Sequence, residues 1–79
     1  MEHLSVTPNP NQGSFIVQLS APITEKITIR ITDVLGMLVQ ETKGVTNATI
    51  NINTSLPPGI YFIHAITPSQ QCTQKIIIL

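Results

Sequence analysis

Few side chains in this 79-residue chain are equipped for chemistry, and their spacing gives them little to do together. A metal centre needs His, Cys or carboxylate ligands grouped at short intervals. The two histidines, His3 and His64, are far apart, and neither has a thiol or carboxylate at such an interval. No metal and no other cofactor is expected. Nucleophilic catalysis needs a Ser or Cys beside a base that an acid orients. The acids are Glu2, Glu25, Asp33 and Glu41; none shares a recognisable motif with a histidine, and G-x-S-x-G is absent. A Cys72–His64 dyad is conceivable if the strands that carry them pair. The simpler reading turns Cys72 inward, as a buried and inert thiol, and His64 outward. Paired carboxylates for glycoside hydrolysis need a cleft, which so short a chain can hardly form. Tyr61 could stack on a carbohydrate. A lone Tyr in a β-sandwich more often sits in the core with its hydroxyl on backbone near a strand end, and that use is expected here. The chain reads as non-enzymatic.

Charge and composition exclude further classes. Four basic and four acidic residues give a formal net charge of zero. Nucleic-acid binding calls for a basic patch, and single-strand binding for aromatic platforms. The scattered Lys and Arg and the three aromatics, Phe15, Tyr61 and Phe62, supply neither. The four glycines are isolated, so no glycine-rich loop cradles a phosphate. No polybasic segment is present to anchor the chain at a membrane surface. The longest apolar runs, Ile60 to Ile63 and Ile76 to Leu79, fall far short of the roughly 20 residues a spanning helix needs. Met1-Glu2-His3 is not the basic start of a secretory leader, and no apolar stretch follows it. A single cysteine cannot form an internal disulfide, so burial alone must hold the fold.

What positions these residues is a set of short strands. Ile, Val and Thr make up 28 residues, against three Ala and six Leu. Such β-branched side chains suit a pleated, half-buried surface. A first strand runs Leu4 to Thr7 into the turn Pro8-Asn9-Pro10-Asn11-Gln12-Gly13. Ser14 to Leu19 alternates, with Phe15, Val17 and Leu19 on one face. Lys26 to Thr32 is the clearest strand, with Ile27, Ile29 and Ile31 facing a core. Asp33-Val34-Leu35-Gly36 turns the chain into a hairpin partner at Met37 to Lys43, which Gly44 ends. Asn47 to Asn53 carries Ala48, Ile50 and Ile52 inward. Gly59 to Thr67 is apolar on both faces and suits a central position, and Cys72 to Leu79 closes the chain. Asn47-Ala48-Thr49 and Asn53-Thr54-Ser55 fit the glycosylation pattern, which arises readily by chance in a chain this rich in Asn and Thr.

Seven strands with turns every 8 to 14 residues read as an all-β domain. The expected architecture is a seven-stranded immunoglobulin-like (fibronectin-like) β-sandwich, although the Cys–Trp–Cys hallmark of immunoglobulin domains is absent. Residues 1–3 read as a linker edge or cloning remnant, and residues 4–79 as one domain. No internal repeat or low-complexity tract interrupts it.

Three motifs in order carry more information than any of these features alone. They are Pro8-Asn9-Pro10 leading to Gly13, Asp33 with Gly36, and Leu56-Pro57 with Gly59 and Tyr61; a Lys75-Ile76-Ile77 strand follows. This succession resembles the C-terminal sorting domain of type IX secretion cargo, over Leu4 to Leu79. Members of that family carry P-N-P-x-x-G, D-x-x-G and L-P-x-G-x-Y and finish on a K-I-I/V strand. Many end in Lys or Gln beyond it, whereas this chain ends in Ile78-Leu79.

The resemblance implies an immunoglobulin-like sandwich and an address rather than a catalyst. It implies a larger N-terminal cargo, recognition by the outer-membrane translocon, and removal by a sortase-like peptidase. The destination is then the cell surface or the medium, reached through the periplasm and outer membrane. Lys75, Ile76, Ile77, Ile78 and Leu79 are the candidate recognition residues. An extended chain end can add to another sheet by backbone pairing, and a dimer through the same edge is conceivable. Ile76 and Ile78 are expected inward, with Lys75, Ile77 and Leu79 outward. Pro8, Asn9, Pro10, Gly13, Asp33, Gly36, Leu56, Pro57, Gly59 and Tyr61 are expected to shape the fold. The alternative is an accessory β-sandwich module of a surface enzyme or adhesin, binding glycan or protein or acting as a spacer.

Overall fold

A computed structural model describes residues 3–79. Met1 and Glu2, part of the expected linker, lie outside the described residues. Seven strands follow in order: β1 (His3–Thr7), β2 (Ser14–Ser20), β3 (Lys26–Thr32), β4 (Leu38–Val45), β5 (Ile50–Asn53), β6 (Gly59–Ile66) and β7 (Gln71–Ile78). They form two antiparallel sheets in a sandwich-like arrangement. One has the order β1-β2-β5 and the other β4-β3-β6-β7. The central position expected for the Gly59 strand is the one β6 holds, between β3 and β7. β1 lies against β7 on one side of the sandwich, and β4 against β5 on the other.

The alternation of the sequence explains the layers. Successive side chains on a strand point to opposite faces, so β2 buries Phe15, Val17 and Leu19 and exposes the residues between them. β3 does the same with Ile27, Ile29 and Ile31. These side chains meet Val6, Ile50 and Ile52 of the three-stranded sheet and Tyr61, Ile63, Ala65, Ile76 and Ile78 of the four-stranded one. A one-residue slip in β2 or β3 would turn its buried apolar set to water, and this fixes their register.

Several details differ from the sequence reading. β4 begins at Leu38, because Met37 closes the preceding turn by accepting the Asp33 N–H at 3.0 Å. It also continues through Gly44, which pairs with Ile27 instead of ending the strand. The missing side chain there admits Ile50: a Cβ on Gly44 would lie 2.8 Å from Ile50 Cδ1. Val39 is the extra residue of a bulge, since Leu38 pairs with Thr32 and Gln40 with Ile31. β5 is shorter than expected. Asn47 turns the chain with φ 59° and Ala48 is only half-buried, so the inward set is Ile50 and Ile52. Finally, Cys72 is half-buried rather than buried. It packs against the margin of the core near the start of β7, opposite Ala65.

Thr46 is buried and stitches the β2–β3 connection to the end of β4. Its hydroxyl donates to the Ile23 carbonyl and accepts the Glu25 N–H, both at 2.9 Å. Ile29 is fully buried in β3, whereas Ile23 is exposed on that connection. Ile29→Val should lower the unfolding free energy by about 0.5–1.5 kcal/mol. Ile23→Val should change it by less than about 0.5 kcal/mol. Urea titrations of the two variants check the contrast.

Candidate functional site

The first motif shapes the site. β1 leaves its sheet at Thr7, and the Thr7–Pro8 and Asn9–Pro10 bonds are both cis. Proline has no N–H to place, so the turn's polar needs fall on its asparagines. Asn11 is buried; its Oδ1 accepts the Gly13 N–H at 2.8 Å, and its Nδ2 donates to the Pro8 carbonyl at 3.1 Å. Gly13 holds φ 104°, and its carbonyl accepts the Thr54 N–H at 2.7 Å. A Cβ there would sit 2.6 Å from the Thr54 carbonyl oxygen. Only glycine satisfies both the dihedral and the space.

Folded in this way, the turn lies along the outer edge of β7. The Ile77 N–H donates to Asn9 Oδ1 at 3.1 Å, and Asn9 Nδ2 donates to the Lys75 carbonyl at 3.1 Å. The Asn11 N–H donates to the Ile77 carbonyl at 3.0 Å, and the Leu79 N–H donates to the Asn11 carbonyl at 2.7 Å. Asn11 thereby forms a parallel bridge with Ile78. One asparagine imitates a strand residue with its side chain and the other with its backbone. β7 is an edge strand by sheet order, but its edge from Lys75 to Leu79 is already occupied. These four bonds engage the Lys75 carbonyl, both backbone groups of Ile77 and the Leu79 N–H.

The side chains of the same stretch divide as the alternation predicts. Ile76 and Ile78 are buried in the core, Ile77 is half-buried on the outer face, and Lys75 and Leu79 are exposed. Ile77 lies opposite Ile60, and Lys75 opposite Phe62.

The second motif builds the β3–β4 turn. Asp33 Oδ1 accepts the N–H groups of Leu35 at 2.9 Å and Met37 at 3.0 Å, while the Gly36 N–H donates to the Asp33 carbonyl at 3.0 Å. Gly36 holds φ 84° with open space around it. The carboxylate is spent on its own turn, and Val34, Leu35 and Met37 are left exposed.

The third motif leads into β6. Leu56 packs against the core, and the Tyr61 hydroxyl donates to the Pro57 carbonyl at 2.6 Å. Gly59 pairs with Ile78, close under the Tyr61 ring. Tyr61 is buried, so its ring offers no face to a sugar and takes the core role expected of it.

The conceivable dyad is not assembled. His64 sits on the outer face, with Nε2 2.9 Å from Thr32 Oγ1 and Nδ1 3.1 Å from Thr73 Oγ1. Cys72 pairs with Ala65 and faces the core side, its Sγ 3.9 Å from Gln70 Oε1. Among the described residues no three His, Cys, Asp or Glu side chains gather as metal ligands. Nor is any helix long and apolar enough to cross a membrane.

The sequence reading missed what Asn9 and Asn11 touch. Both sit in a turn motif, where a local Asx bond is the ordinary expectation, and their long-range partners lie more than 60 residues away. A family model for the secretion system C-terminal sorting domain matches residues 5–79. Against curated proteins the chain has no match. It belongs to the C-terminal sorting domains of type IX secretion, a class of signal domain. Membership implies attachment to a larger cargo, interaction with the type IX machinery, and export to the cell surface or beyond.

Two comparisons test the geometry. Gly36→Ala should cost about 1–2 kcal/mol, the ordinary penalty of a left-handed alanine. Gly13→Ala should cost clearly more, because the clash with Thr54 adds to it; urea unfolding measures both. Asn9→Ala should speed hydrogen exchange at the Ile77 amide, which loses its acceptor. The Ile76 and Ile78 amides, turned toward β6, should be unaffected. Equal rates at Ile77 in the two proteins would mean that the side-chain bond carries nothing.

Proposed function

We propose that this domain is a non-catalytic address that directs a larger protein through the type IX outer-membrane translocon, after which a sortase-like peptidase removes it. The observation that carries this reading is the family match over residues 5–79, nearly the whole chain. The structure is consistent with an address, since its three motifs are spent on holding turns and the last strand. We read the architecture as immunoglobulin-like. The sheet orders β1-β2-β5 and β4-β3-β6-β7 support that reading, as does a Tyr61 hydroxyl bonded to backbone four residues upstream.

Within Lys75 to Leu79 the work divides. Ile76 and Ile78 hold the strand in the core, and Lys75, Ile77 and Leu79 are the side chains available to a receptor. Removing all five residues would therefore unfold the domain as well as erase a signal, so truncation cannot separate the two roles.

The test is a fusion of residues 1–79 to the C-terminus of a reporter that carries an inner-membrane signal peptide. It is expressed in cells with a working type IX system and in cells lacking the translocon. The reporter should reach the surface or medium only when both domain and translocon are present. A folded fusion retained in the periplasm of competent cells would overturn the proposal and favour an accessory glycan- or protein-binding module.

A further inference from the structure

The β3–β4 turn exposes an apolar run that a soluble domain has no folding reason to keep. Leu35 is 82% exposed, Val34 65%, Met37 64% and Leu38 54%. Their backbone is fully explained by Asp33 and Gly36, but their side chains touch no core. Exposed runs of three or four apolar residues are faults in a fold unless they are used.

The register extends this run across the sheet. Leu38 pairs with Thr32, and Thr32 pairs with Phe62, so the three share one outer row. Ile60 follows on β6 and lies opposite Ile77, beyond which comes Leu79. Ile60 is 45% exposed and Leu79 65%. The turn and the outward side chains of the C-terminal strand thus belong to one end of one face. Six of the ten exposed large hydrophobic side chains among the described residues lie at this end, and gathered apolar exposure of this kind marks an interaction site.

The charge around the patch is also specific. The Asp33 carboxylate is turned into its own turn. Lys75, next to Phe62 at the rim, makes no ion pair among the described residues, where the one pair is Arg30 with Glu41. Backbone recognition of Lys75 to Leu79 is closed by Asn9 and Asn11. A receptor that reads the C-terminal strand in the folded domain has only its outer side chains to read, and those are continuous with the turn.

We propose that the export machinery grips the folded domain through this composite patch, with the β3–β4 turn and Leu79 as its two ends. Its partner is an apolar protein surface of that machinery, bearing a carboxylate where Lys75 meets its rim. The inference rests on the sorting reading and adds the surface that is recognised.

The test uses the reporter fusion in competent cells with three variants. One carries Leu35→Ser and Met37→Ser together, one carries Lys75→Glu, and one carries Ile23→Ser, an exposed apolar residue on the β2–β3 connection away from the patch. Urea unfolding of each domain establishes that it still folds. The double variant should lower surface delivery by about tenfold, as loss of an interface anchor does. Lys75→Glu should lower it less, and Ile23→Ser should leave it unchanged. If the unaltered fusion is not exported, the sorting reading itself fails. If it is exported and the folded double variant is exported equally well, the patch is not the recognised surface. Sedimentation of residues 1–79 supplies the remaining outcome. A concentration-dependent dimer that Leu35→Ser and Met37→Ser abolish would assign the patch to a second copy of the chain and overturn the proposal.

Discussion

A strand at the edge of a sheet is hard to keep in place. β7 is such a strand, yet it supplies two buried side chains, Ile76 and Ile78, to the core. Pairing with β6 satisfies only alternate backbone groups. The groups that face the other way would otherwise be left to water and to fraying. The Pro8–Gly13 turn meets them from the far side with four hydrogen bonds. The last strand is thereby held between a true neighbour and an imitation of one. Much else follows from that constraint: the buried Asn11, the backbone of Gly13, and the approach of β1 toward β7.

This arrangement divides buried from outward side chains along a single strand. Even-numbered residues near its end are core, and odd-numbered ones face outward. Exposed edge strands invite unwanted pairing, and proteins blunt them with charges or cover them. Here the cover comes from the same chain, and Lys75 stands beside it. The apolar stretch from Ile76 to Leu79 thereby has outward backbone groups engaged by its own chain. What remains accessible is a pattern of side chains, which suits discrimination better than a bare edge does.

The motifs and the apolar surface have complementary roles. Asp33 and Gly36 make a turn whose backbone is self-sufficient, and this frees Val34, Leu35 and Met37 from any structural duty. The Tyr61 hydroxyl fixes the approach to β6 and so sets where Ile60 and Phe62 emerge on the outer face. A rigid frame presenting loosely constrained apolar groups is the usual arrangement of a binding surface on a small scaffold.

Strand identity and inward faces were readable from the sequence, because the period of two and the density of Ile, Val and Thr leave little choice at Phe15–Leu19 or Ile27–Ile31. The three turns were readable for the same local reason: Pro, Asn, Asp and Gly act on their own neighbours. The succession of those turns was enough to suggest the family. The extent of β4 past Gly44 was not readable, since glycine ordinarily interrupts a strand and here makes room for Ile50 from another sheet. The long-range partners of Asn9 and Asn11 were equally hidden, because sequence spacing carries no information about which edge a turn will lie against. The gathering of Leu38, Ile60 and Leu79 on one end of one face depends on the order β4-β3-β6-β7 and its register. Local propensity and periodicity determined the elements; only the pairing of distant strands decided which of their exposed residues became neighbours.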